Sequence, residues 1–144
     1  MATIKQKTIG NLFLERIEKS AQPSTDSNNA IGWIEAGALR FISFEQYKNS
    51  VEIITLALNH IGLKPQQKVA IFGKTSKEWH LFDMGLLCGD FITVPIYPNL
   101  IPKDFEYIFN HSGCIGLIID SIEQYKKVIS VLPTLTNLEF IISF

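Results

Sequence analysis

Val69-Ala70-Ile71-Phe72-Gly73-Lys74-Thr75-Ser76-Lys77-Glu78-Trp79 decides the fold. Four apolar residues run without interruption, a short polar turn follows, and a helical pattern then begins. A strand apolar on both faces is expected where helices cover both sides of a parallel sheet. The rhythm continues downstream. A helix is expected over Ser76 to Cys88, a strand over Phe91 to Ile96, and a helix from Pro102 to about Asn110, where proline suits the first helical position. A strand over Ile115 to Ile119, a helix from Ser121 and a strand from Glu139 complete four strands joined by three crossover helices.

Upstream the pattern differs. Ser43 and Gln46 form a capping box, and Phe44, Tyr47, Val51, Ile54, Leu58 and Ile61 recur at helical spacing until Gly62. Ile31 to Glu35 and Leu39 to Ser43 flank Ala36-Gly37-Ala38, the composition of a hairpin whose turn needs a positive φ. Ile9, Phe13 and Ile17, with Leu12 alongside, make one apolar stripe on a first helix over Thr8 to Ser20. Residues 21–30, rich in Ser, Asn, Asp, Pro and Gln, read as a mobile loop. The fold class is therefore α/β: an N-terminal helix and β-hairpin, then a mostly parallel βαβαβαβ sheet with helices on both faces.

At 144 residues the chain fits a single domain or subdomain spanning 1–144. Hydrophobic residues make up 47% and charged residues 19%, an ordinary globular balance that excludes a disordered or fibrous chain. A net charge of −1 without long runs of either sign gives no footprint for nucleic acid. Cys88 and Cys114 lack CxxC spacing and lie in apolar stretches, which fits a reduced cytoplasmic protein. The N-terminal residues lack the apolar core of a secretory signal, and the longest apolar runs fall well short of the roughly 20 residues of a spanning helix. Phe140 to Phe144 ends the chain in a strand without a closing helix, which reads as a cut inside a larger fold.

Residue chemistry alone names no reaction. Gly73-Lys74-Thr75 has the end of a phosphate-binding loop, but the required upstream glycine falls at Lys68, and Thr75 with Glu78 reads instead as a capping box. His80 and Asp83 share a helix face but lack further ligands nearby in sequence. Asn110-His111-Ser112-Gly113 follows a helix, where a nucleophile elbow needs a strand. No paired carboxylates and no GxGxxG loop are present, so no metal-binding residue is assigned.

Five segments, in order, resemble the amino-terminal region of acyl-CoA synthetases, long-chain fatty-acid CoA ligases in particular. Leu39 to Tyr47 is similar to that family's strand and Thr/Ser-Tyr-x-Glu helix start, with Phe44 in place of the tyrosine. Ile61 to Ile71 resembles Leu-Gly-x-x-x-Gly-Asp-x-Val, with Gln66-Gln67 where Gly-Asp is common. Thr75-Ser76-Lys77-Glu78-Trp79 resembles Asn-x-x-Glu-Trp, and Tyr107 to Ser112 resembles Tyr-Ile-x-x-His-Ser. The most specific match is Gly89 to Pro98, close to Gly-x-x-x-Val-Pro-Ile-Tyr-Pro.

The resemblance covers about residues 30 to 120 and implies part of a larger adenylate-forming fold. It also implies, for a parent protein, a fatty acid, ATP and CoA as partners and Mg²⁺ as helper: the carboxylate is adenylated, then CoA takes the acyl group as a thioester. The family's phosphate loop ending in Pro-Lys-Gly, its acidic Mg²⁺ and ribose ligands and its adenylation lysine match nothing here, so no catalytic residue is assigned and tight cofactor binding by this chain is not expected. Lys126 and Lys127 are the candidate contacts for CoA phosphates that the resemblance suggests. Each matched word also coincides with a cap, a turn or a strand end, with Trp79 expected to pack its helix on the sheet and Val94-Pro95 to end a strand where a missing donor is tolerated. Two further readings stand beside the inactive scaffold: a freestanding nucleotide- or ligand-binding α/β module, and a self-associating interaction domain. Peripheral membrane contact is left open.

Overall fold

The computed structural model describes residues 8–20 and 28–144. Helix α1 spans Ile9–Ser20, strands β1 Asn29–Glu35 and β2 Ala38–Ser43 form an antiparallel hairpin, and α2 spans Phe44–His60. There follow β3 Lys68–Phe72, α3 Lys77–Cys88, β4 Ile92–Ile96, α4 Pro102–Ser112, β5 Gly116–Ile119, α5 Ile122–Val131, a 3₁₀ turn over Leu132–Thr134 and β6 Phe140–Ser143. Of the loop expected over 21–30, residues 21–27 lie outside the described residues, and Asn29 and Ala30 open β1.

The four-stranded sheet has the order β4-β3-β5-β6 and every pairing in it is parallel. From β3 the chain steps to one side to make β4, then crosses back to make β5 on the other. Right-handed crossovers therefore place α3 on one face and α4 and α5 on the opposite face. The core divides accordingly. Val69, Ile71 and Ile118 pack with Leu58 of α2 and Leu86 of α3, while Ala70, Phe72, Leu117 and Ile119 pack with Phe105 and Phe109 of α4 and Val128 of α5. Phe72 and Phe105 stack with ring centroids 4.7 Å apart. Trp79 packs against the α2–α3 cluster, as its apolar ring requires.

Local chemistry sets the element ends. Ser43 Oγ accepts from the Gln46 amide at 3.1 Å and Gln46 Oε1 accepts from the Ser43 amide at 2.9 Å, the reciprocal box that starts α2. Helix α3 starts differently from expectation: its N-cap is Ser76, whose hydroxyl accepts from Trp79 N at 3.1 Å, in place of the Thr75–Glu78 box. Thr75 has the better box partner in sequence, Glu78, yet the neighbouring Ser76 takes the cap. Gly113, at φ 72, ends α4 in the left-handed conformation that glycine adopts freely, so 110–113 is a helix end. β4 is an edge strand and Pro95 on it is exposed, so its missing N–H interrupts no ladder.

Candidate functional site

Helix α3 leaves β3 toward one face and α5 leaves β5 toward the other, so the carboxyl ends of these adjacent strands part and leave a crevice. Ligands of open α/β sheets occupy such switch points. Three turns border it: Gly73–Ser76 after β3, Tyr97–Leu100 after β4 and Asp120–Ser121 after β5. Gly73, Lys74, Trp79, Tyr97, Pro98 and Asn99 line a cleft of about 450 Å³ between the first two turns. A second cleft of about 520 Å³ opens beside Asp120, Ser121, Tyr125 and Phe144.

Asp120 joins the two strand ends. Its Oδ2 accepts the Lys74 backbone N–H at 2.6 Å, and its Oδ1 is buried without a hydrogen-bond partner. A Cβ on Gly73 would lie 2.8 Å from the Asp120 carboxyl carbon, so only glycine allows the carboxylate this close. The Lys74 amide, which a phosphate-binding loop would offer to an anion, is thus given to a carboxylate. This closes the P-loop reading on geometry as well as on spacing. Ser76 and Glu78 stand at the start of α3. Burial pushes the Glu78 carboxyl up, but hydrogen bonds from Lys77, from its own backbone and from Ser76, together with the Lys77 charge, outweigh it and hold the group below the usual carboxylate range. Lys77 Nζ is 3.0 Å from Glu78 Oε1 and 4.7 Å from the centre of the Trp33 ring, which ties α3 to the hairpin.

Lys127 and Lys126 sit apart from each other in environment. Lys127 Nζ donates to the Pro98 carbonyl at 2.6 Å, pairs with Glu123 at 3.3 Å and lies 5.7 Å from the centre of the Phe72 ring. Lys126 is exposed. His80 is exposed with its ring edge-on to Trp79, while the charge of Asp83 acts on Tyr47, and among the described residues no group of three metal-ligating side chains occurs. Ser112 Oγ donates to the Phe109 carbonyl at 3.0 Å and lies 3.1 Å from Cys114 Sγ, as a helix-end hydroxyl does. No helix among the described residues is long and apolar enough to cross a membrane. Asp120 went unremarked in the sequence, although an acidic residue directly after an apolar parallel strand is placed where such sheets bind ligands.

A switch-point crevice on a parallel sheet defines a class of α/β proteins, not a reaction. Comparison with known proteins narrows it. Residues 18–143 match the profile of the family described as AMP-binding enzyme. Fatty acyl-CoA synthetase B of Dictyostelium discoideum is 31% identical over 119 residues, which is 83% of this chain and 17% of that protein. An anthranilate CoA ligase solved with anthranoyl-AMP is 27% identical, with a TM-score of 0.69 over 73% of this chain and 20% of its own. The fatty acyl CoA synthetase of Mycobacterium tuberculosis shares the fold at a TM-score of 0.78 over 95% of this chain and 26% of its own, with 16% identity. The chain belongs to the AMP-binding enzyme family, among relatives named as fatty acyl-CoA synthetases and CoA ligases. It spans less than a fifth of the length of the curated relatives it matches, 17 to 19% for the first three.

Proposed function

We propose that this chain is a scaffold portion of an ATP-dependent, AMP-forming fatty acid:CoA ligase with long-chain preference, and that alone it makes no acyl-CoA. The observation that carries the reading is the family match over residues 18–143, within which the Gly89–Pro98 segment builds β4 and one wall of the cleft. In the parent, ATP converts a poorly electrophilic carboxylate into an acyl-adenylate with a good leaving group, and the thiol of CoA then displaces AMP. Stabilising the developing phosphate charge needs convergent cations and donors. The described residues do not fit the Mg²⁺ that would assist: no group of three suitable ligands comes together among them. No step is therefore assigned to a metal held here.

Within this reading the chain acts in the cytoplasm, 1–144 forms one subdomain, and of Lys126 and Lys127, the two lysines offered to CoA phosphates, the exposed Lys126 is the one that would serve, since the Lys127 ammonium is engaged by Pro98 and Glu123. The test compares the purified chain with the same chain joined to its downstream reading frame. Palmitoyl-CoA and AMP should form from palmitate, ATP and CoA only with the longer protein. Turnover by the 144-residue chain, or none by the longer protein, overturns the proposal. Saturable micromolar binding of ATP, AMP or CoA to the short chain in calorimetry would favour a freestanding binding module instead.

A further inference from the structure

The two turns that wall the cleft at the carboxyl end of the sheet are held from one place. Asp120, directly after β5, accepts the Lys74 amide N–H at 2.6 Å, and Lys127, in the second turn of α5, donates its ammonium to the Pro98 carbonyl at 2.6 Å. We propose that Asp120 and Lys127 are positioning residues that together clamp the post-β3 and post-β4 turns and so fix the shape of the cleft between them.

The alternative for Lys127 is an ordinary surface pair with Glu123 on a helix, which contributes little. Exposure separates the two readings. The Glu123 side chain is 70% exposed and that of Lys127 only 20%, so the lysine keeps its helical partner while its ammonium turns in toward the sheet end. Withdrawing an ammonium from water is unfavourable unless strong bonds replace the hydration. Here the Pro98 carbonyl, the Glu123 carboxylate and the face of Phe72 replace it. Pro98 follows β4 by two residues, and the next backbone contact that orders its turn is the Leu100 amide on the Tyr97 carbonyl at 3.2 Å. Leu100 packs on the core, and the Lys127 bond adds a hydrogen bond from another element to the backbone of this turn. Asp120 does the same for the other wall, and the missing side chain of Gly73 lets it in. Because Asp120 and Lys127 belong to one strand–helix junction, the walls are fixed relative to each other.

Three measurements decide this, and only the last rests on the ligase reading. First, reductive methylation of the unsubstituted 144-residue chain should modify Lys126 at least about fivefold faster than Lys127, as an exposed amine against an engaged one; equal rates overturn the clamp. Second, amide hydrogen exchange should rise about tenfold at residues 97–101 in Lys127→Met and at Lys74 in Asp120→Ala, with β3 and β5 amides unchanged and Lys127→Arg restoring the first set. Unchanged exchange, or an even rise across the sheet that Lys127→Arg does not reverse, overturns the proposal. If Lys127→Met does not fold, the methylation rates still decide. Third, in the longer protein Lys127→Met should raise KM for fatty acid or ATP about fivefold with kcat within about twofold, a change that loss of a CoA contact alone would not give. Unchanged KM values overturn the positioning role. Absence of turnover by the unsubstituted longer protein defeats the ligase reading alone, and leaves the first two measurements to decide the clamp.

Discussion

Tyr47 lies on α2 with its ring edge-on to Phe13 of α1, the centroids 4.9 Å apart. Burial first, then the negative charges of Asp83 and Cys88, push its phenol up to about 12. The folded protein thus holds the phenolic proton above the pH at which the unfolded chain, at about 10, releases it. Stability from this group is complete below pH 10 and is lost as pH rises toward 12. Cys88 acts with the same sign, since burial pushes its thiol up as well. Tyr47→Phe keeps the ring and removes the titration, so its urea midpoint should fall less between pH 10 and 12 than that of the parent chain. Superimposable pH profiles would refute the assignment. The cysteines differ in access: Cys114 is fully buried, and burial raises its thiol against the opposing Ser112 hydrogen bond and Lys68 charge, while Cys88 is half-buried. A disulfide reagent at pH 8 should label Cys88 first and reach Cys114 only as the fold opens. Mass spectrometry of the time course checks the order, and labelling of Cys114 ahead of Cys88 contradicts it.

The β1–β2 hairpin shows what local sequence does and does not reveal. Gly37 takes the positive φ expected of it, at 78, but Ala36 before it is also left-handed, at 50. Both central residues positive is the turn that matches strand twist, and it prefers asparagine where this chain has alanine. Ala36→Asn should stabilise the protein by about 0.5–1 kcal/mol, because alanine is strained there and asparagine less so. A lower thermal midpoint for the variant would show that the hairpin is not limited by its turn. Gln66 makes a related point. Its φ is 65, the conformation that explains glycine in the Gly-Asp word of the family, and its side-chain amide donates to Asp90 Oδ1 at 2.7 Å. A non-glycine residue therefore holds a left-handed position in this turn. Helices α2 and α4, the hairpin and the parallel strands were legible because caps, glycines and apolar runs are local signals. The cap of α3 was not, since Glu78 marks Thr75 as the box residue while Ser76 takes the cap, and the turn before it is held by Asp120, 46 residues from Lys74, which no local pattern shows. The Lys127–Pro98 bond spans 29 residues and has no local signature either. Half of the candidate site could be read, the turns that the family words mark, while the groups holding those turns could not.

At the scale of the whole chain, the parallel sheet ends in two edges of different character. On β4, Pro95 is exposed and cannot donate, which blunts that edge against further pairing. On β6, Phe140-Ile141-Ile142-Ser143 carries neither charge nor proline, and its outer backbone groups have no strand beside them among the described residues. Such an edge is a template for another chain. Exposed Ile34 and Leu39 on the hairpin, 77% and 62% accessible, and Ile53 on α2, 67% accessible, add apolar surface elsewhere. The hairpin strands are edges too, but they carry Glu35 and Arg40, charges that oppose pairing, whereas β6 carries none, so β6 should dominate association of the 144-residue chain. Sedimentation equilibrium should therefore show a weight-average mass that rises with concentration. Ser143→Lys places a charge at the exposed end of β6 and should shift the curve toward monomer. Ile53→Lys adds the same charge on α2, outside β6, and serves as the control. Equal shifts for both variants would mean that net charge, not the β6 edge, governs association, and a strictly monomeric parent chain at high concentration would remove the edge argument altogether.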